Sequence, residues 1–142
     1  GVVNASTLSL PNNLQVTDQQ LSIPKLNQQW QIYQGEKIGQ DWVVGDVEVS
    51  RLPTQSGNVF YGHNTSLVFG KIHTLSWGTQ AELSSSQGTK TYKLARTRII
   101  NSEVTPIEQM EYADDELTLI TCRDADSPWR VIFTFTQIKT QE

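Results

Sequence analysis

The hydrophobic positions of this chain come in short runs separated by turn chemistry. Residues 117–122, Leu-Thr-Leu-Ile-Thr-Cys, are β-branched and apolar, which predicts a strand, and the run ends in the only cysteine. After a turn-rich link over 123–128, Arg130 opens a second apolar run that extends over 131–138. Residues 58–62 predict a buried strand, with His63 just past its end. A short strand at 80–83, a hairpin loop at 84–88 and a long strand at 89–100 follow. Nearer the start, residues 21–26 alternate apolar and polar, and Pro24 confines that strand to an edge or a bend. Residues 31–33 predict a short partner strand ending at Gly35.

The remaining stretches are less patterned. Residues 1–20 are polar, with a turn signal at Pro11-Asn12-Asn13, and predict an arm or lead-in. Residues 37–47, around Trp42-Val43-Val44, fit either a short helical turn under a barrel or a third strand. Pro and Gly punctuate a polar loop at 51–57. One helical turn is expected at 65–69, ahead of 71–75. Thr105 can cap a short helix within 104–112, with Pro106 at its first position and Glu108 three residues after the cap. About eight short strands, one or two helical turns and no internal repeat predict a single all-β domain, a barrel or a sandwich.

Composition narrows the function. At 142 residues the chain can bury a core without staples, and 37% hydrophobic content is far from the disordered range. A net charge of −4 with no basic stripe argues against nucleic-acid binding. No stretch approaches the roughly 18 apolar residues that a membrane span needs. One cysteine excludes an internal disulfide, and with two histidines it leaves little for a zinc site. Abundant Gln, Ser, Thr and Asn fit a secreted domain, and a start at Gly1 suggests a processed segment from which an anchor would be missing.

Three chemically capable side chains fall at strand edges: Cys122, His63 and Arg130. Side chains alternate faces along a strand, so Thr118, Ile120 and Cys122 share one face. A hairpin through 123–128 would bring Cys122 and Arg130 together at one end of a sheet. Arg123 adjoins the thiol but would point to the opposite face. A lone cysteine in an apolar strand is ordinarily a buried small hydrophobe, and a histidine after a glycine is ordinarily a loop residue. His73, in Ile72-His73-Thr74-Leu75, belongs to no chemical motif and is expected to be structural or exposed.

Taken together, Leu117-Thr118-Leu119-Ile120-Thr121-Cys122, Gly62-His63-Asn64, the trailing Arg130, and the early Ile23-Pro24-Lys25-Leu26 and Ile32-Tyr33-Gln34-Gly35 resemble the sortases. These are the cysteine transpeptidases of Gram-positive cell surfaces, and the matching pieces stand in the family's order over about residues 21–138. The resemblance implies an eight-stranded sortase-type β-barrel with one or two short helices, the catalytic domain occupying 21–142 after an arm of 1–20. It implies cleavage of an LPXTG-like sorting signal between Thr and Gly, and transfer of the acyl group to an amine. The acceptor would be a lipid-linked cell-wall precursor or a pilin lysine. It also implies placement on the extracellular face of the membrane through an N-terminal anchor.

The chemistry asks for these residue types. Only a thiolate attacks a peptide carbonyl readily, and an unassisted thiol is about 3% ionised at pH 7. By the resemblance, Cys122 is the nucleophile and His63 the acid that protonates the departing amine and later deprotonates the incoming one. Arg130, always charged, would stabilise the oxyanion or hold the substrate backbone. By the resemblance Thr121, Ile120 and Trp129 match groove-lining positions, while from the residues alone Thr121 also reads as a strand-former and Ile120 and Trp129 as plain core. No cofactor is expected. Some sortases bind calcium, but Asp114-Asp115-Glu116 with Glu103, Glu108 and Glu111 lacks ligands at fixed alternating positions and reads as a solvated acidic turn. Two alternatives remain at this level: a non-catalytic sortase-like binding module and a hydrolytic cysteine protease on the same fold.

Overall fold

The computed structural model describes residues 14–124 and 127–139. Among the described residues ten strands run in the order β1 (Val16–Ile23), β2 (Gln28–Gln34), β3 (Lys37–Ile38), β4 (Asp41–Trp42), β5 (Val49–Arg51), β6 (Asn58–Tyr61), β7 (Gln80–Ser85), β8 (Gly88–Asn101), β9 (Glu116–Cys122) and β10 (Trp129–Gln137). Single 3-10 turns cover Pro24–Leu26, Gly70–Thr74 and Ile107–Gln109. Eight of the strands close a barrel in the order β9-β10-β8-β7-β1-β2-β5-β6, with β6 pairing back onto β9. The expected eight-stranded all-β barrel is therefore present. Two of its pairings are parallel, β2 with β5 and β6 with β9.

Alternation along the strands builds two cores from one sheet. Leu117 and Leu119 of β9 and Val131, Phe133 and Phe135 of β10 fill the barrel with Phe60, Phe69 and Leu21. Ile120 and Ile132 point the other way and meet Leu52, Val59, Tyr61, Ile100 and Ile107 in a second cluster outside the wall. That is why both faces of these strands are apolar: one packs the interior, the other floors a layer covered by loops. Burying each such side chain contributes about 1.5–3 kcal/mol.

Several local expectations change. β1 begins at Val16, so the last residues of the expected 1–20 lead-in already belong to the barrel, while residues 1–13 and the turn at Pro11 lie outside the described residues. Pro24 ends β1 rather than sitting in it, because the chain turns there and Asn27 takes a left-handed φ of 54°. Residues 37–47 hold no helical turn, and the strand alternative takes the form of two short strands outside the barrel. β3 and β4 form a separate hairpin, with Gly39 at φ 62° allowing the two-residue turn.

β5 was not visible in the sequence, being only Val49–Arg51 with a polar Ser50 at its buried centre. The turn expected at 65–69 precedes a 3-10 helix at Gly70–Thr74. Over 104–112 only Ile107–Gln109 is helical. Pro106 is the extended cap residue (ψ 135°) instead of the first helical position, and no side chain caps that turn.

Candidate active site

β9 and β10 are paired residue for residue from Glu116↔Thr136 to Cys122↔Arg130. Arg130 thus lies directly across from the thiol, and even-numbered residues of both strands share the outward face that carries Ile120 and Ile132. Cys122 is a half-buried free thiol. The Arg130 guanidinium is steadied from the hairpin, donating from Nη1 to the Ser127 carbonyl (2.7 Å) and the Trp129 carbonyl (3.2 Å). A guanidinium has five N–H donors, so most of its donor capacity remains.

β6 supplies the histidine from the other side of β9. Its parallel pairing ends at Ile120↔Tyr61, and the Gly62 N–H continues it by one bond to the Ile120 carbonyl (3.2 Å). Gly62 is required there by space, since a Cβ would come within 2.6 Å of Val68 Cγ1. The chain then leaves the sheet at His63, whose carbonyl accepts the Phe69 N–H (3.0 Å) and closes the 63–69 turn. Three strands in two different pairings therefore deliver Cys122, Arg130 and His63 to one end of the barrel.

All three side chains line one cleft of about 870 Å³. Ile120, Tyr61 and Ile107 contribute its floor, and Trp42 and Val44 a side wall. The Tyr61 hydroxyl donates to the Val43 carbonyl (3.1 Å), and burial pushes its pKa up to about 12, so it stays a neutral donor. At the rim, Lys37 Nζ meets Glu108 Oε2 at 2.7 Å, tying the β3–β4 hairpin to the 3-10 turn opposite. The same ammonium stands 5.5 Å from the Trp42 ring centroid. The Lys37 hydrogen bond, the largest influence on it, holds the Glu108 carboxyl below its usual range.

The other expected positions separate. Ile120 and Thr121 line the cleft, and Thr121 is only 2% exposed, with a hydroxyl that has no partner among the described residues. Trp129 is a correction: it is not among the cleft residues. It lies on the opposite face from Arg130, partly exposed, with the Arg123 guanidinium 5.3 Å from its ring centroid. Arg123 also pairs with Asp124 at 2.8 Å and does not line the cleft. His73 packs edge-on against Phe133 at 5.3 Å, away from the thiol, and burial pushes its pKa down.

Lys37, Trp42 and Glu108 were not singled out as cleft residues by the sequence. Lys37 and Glu108 lie 71 positions apart in the chain, and no local pattern announces such a contact. Among the described residues no group of three or more metal-ligating side chains is gathered, and Glu116 of the acidic turn pairs with Arg96 at 2.9 Å.

A family model described as the sortase domain matches residues 21–137. The chain belongs to the sortase family. A curated relative, sortase D of Bacillus subtilis (strain 168), is 30% identical over 103 residues, 72% of this chain and 52% of the relative. The chain thus spans about half the length of that relative. Among solved structures, the barrel is similar to sortase A from Listeria monocytogenes (TM-score 0.70, 16% identity, 87% of this chain and 88% of that one). It is also similar to sortase A from Corynebacterium diphtheriae, a lid mutant (TM-score 0.69, 17% identity, 92% and 75%). Sortase C-1 from Actinomyces oris overlays comparably (TM-score 0.67, 21% identity, 86% and 72%). At these identities the overlays speak for the sortase fold.

Proposed function

We propose that this sortase is a cysteine transpeptidase that cleaves an LPXTG-like sorting signal between Thr and Gly and passes the acyl group to an amine. One observation carries the reading: a free thiol, a guanidinium directly opposite it and an imidazole at the next strand's end all open onto one cleft. The Cys122 thiolate attacks the threonine carbonyl carbon, and Arg130 stabilises the oxyanion that forms. When the C–N bond breaks, His63 gives a proton to the departing amine and a thioester to Cys122 remains. An incoming amine attacks the thioester carbonyl, loses its proton to His63 and expels the thiolate, restoring the site.

The outward face of β9 offers Ile120 as apolar floor leading to the thiol, which suits an extended peptide laid along the strand. Acceptor candidates are a lipid-linked peptidoglycan precursor or a pilin lysine, placing the domain outside the cell membrane through an anchor. No described helix is long and apolar enough to cross a membrane.

The test is a quenched LPXTG-type peptide incubated with and without an amine nucleophile. Cleavage that depends on Cys122 and an amine adduct are the expected outcomes. Unchanged cleavage by Cys122→Ala would overturn the assignment. Cleavage without adduct would make the protein a hydrolase, and no cleavage of any sorting-signal peptide in a library would favour a binding module.

A further inference from the structure

The thiol-bearing end of β9 is missing a rung of its ladder. The Arg123 N–H donates to the Trp129 carbonyl (3.0 Å), so odd-numbered positions at this end bond toward β10. Backbone groups alternate sides along a strand, so those of Ile120 and Cys122 face β6. The Ile120 carbonyl finds its partner there in the Gly62 N–H. In a parallel ladder the following rung would take the backbone N–H of residue 64 to the Cys122 carbonyl, but the chain has already turned away at His63. That carbonyl is satisfied differently: Asn64 Nδ2 donates to it at 3.0 Å and to the Arg123 carbonyl at 3.3 Å.

We infer that Asn64 is a positioning residue, its side-chain amide replacing the lost backbone rung to hold the His63 turn in register with Cys122. A carboxamide carries the same N–H donor as a peptide group on a longer tether. The chain can therefore leave the sheet, freeing His63 from strand geometry, and yet stay pinned two residues beyond the last backbone bond. His63 is then fixed on both sides, by the Gly62 N–H before it and the Asn64 amide after it, each bonded to β9. Packing holds the far end of the turn through buried Val68 and Phe69, whereas Asn64 and residues 65–67 are exposed, so the tie to β9 at this point is polar. The inference rests on the roles proposed above for His63 and Cys122.

Two assays on the whole chain test it, with Asn64→Ala, Asn64→Asp, His63→Ala and the His63→Ala/Asn64→Ala double variant. Asn64→Asp keeps the shape but turns a donor into an acceptor aimed at two carbonyl oxygens. In the first assay, alkylation of Cys122 by iodoacetamide is followed against pH, which needs no peptide substrate. His63→Ala shifts the profile, both Asn64 variants shift it the same way, and the double variant goes no further than His63→Ala. A wild-type profile for either Asn64 variant, or for His63→Ala, overturns the inference, as do independently multiplying effects.

The second assay measures peptide turnover, where a loosened His63 lowers kcat about tenfold. KM stays within about twofold, because the floor residues that hold the peptide are untouched. An unchanged kcat, or a loss confined to KM, overturns the inference. Should the wild type turn over no sorting-signal peptide, the proposed function fails, and alkylation still decides whether Asn64 couples His63 to the thiol.

Discussion

Cys122 and Arg130 are direct cross-strand partners at the open end of the β9–β10 pairing, with their side chains on the outward face of the barrel. The hairpin between them makes this pairing, and it puts Arg130, and not Arg123, on the cleft. Arg123, next to the thiol in sequence, is held outside the cleft by Asp124 and Trp129.

The arginines should therefore separate sharply by mutation. Arg130→Ala is expected to lower kcat by about 10²–10³, the loss typical of removing an oxyanion donor. Arg123→Ala should stay within about twofold, since it gives up a surface ion pair of little net worth. Steady-state peptide kinetics check both, and a dead Arg123→Ala would reverse the assignment.

Thr121→Val should uncouple stability from activity. The hydroxyl shares the inward parity of Leu117 and Leu119 and is buried without a partner among the described residues. Replacing it with a methyl removes an unpaired polar group at nearly constant volume, so stability should hold or rise by about 1 kcal/mol. Because the side chain faces away from Ile120 and Cys122 and its hydroxyl is buried, kcat/KM should stay within about twofold. Thermal melting and peptide kinetics on the same preparation check both expectations.

Lys37 and Glu108 form a weak clasp across the cleft rim. Both side chains are partly exposed, so the pair is worth about 1 kcal/mol at most and yields to salt. Either single substitution, Lys37→Ala or Glu108→Ala, should raise KM by about twofold to fivefold with little change in kcat. The charge-reversed double variant Lys37→Glu/Glu108→Lys should recover part of the loss. Added salt should raise the wild-type KM and leave that of the single variants nearly level. A pair that only decorates the surface would show none of this.

His73 predicts a small acid-side loss of stability. Burial favours its neutral form, so its folded pKa lies below the ordinary value of 6.5. As pH falls through about 6.5 the unfolded chain takes up the proton first, and stability declines from there down to the folded pKa. Above that window the group contributes no pH dependence. His73→Phe keeps an aromatic ring against Phe133 without the titration. Its melting temperature should therefore fall less than that of wild type between about pH 7.5 and about pH 5. Parallel curves for the two proteins would exclude the effect.

Much of the candidate site's placement was legible because it is local. An apolar run ending in cysteine, a turn, and an arginine opening the next run specify a hairpin, and period-two alternation gives the face of each residue. The same alternation turns Trp129, an odd-numbered neighbour of Arg130, away from the cleft. The helix expected around Thr105 failed because Pro106 is extended and the segment is held by tertiary packing of Ile107 instead of a cap.

The sequence alone determined the longer strands, the thiol and the family pattern, since these rest on side-chain periodicity and on motifs a few residues long. The approach of His63 depended on tertiary structure, because β6 joins β9 by a parallel pairing across more than fifty residues of chain. So did the strand at Val49–Arg51, the β3–β4 hairpin and the Lys37–Glu108 rim. Each is short or polar, without enough local preference to declare itself. Closure of the barrel brings them to their partners, and long-range contacts of that kind leave no period in the sequence.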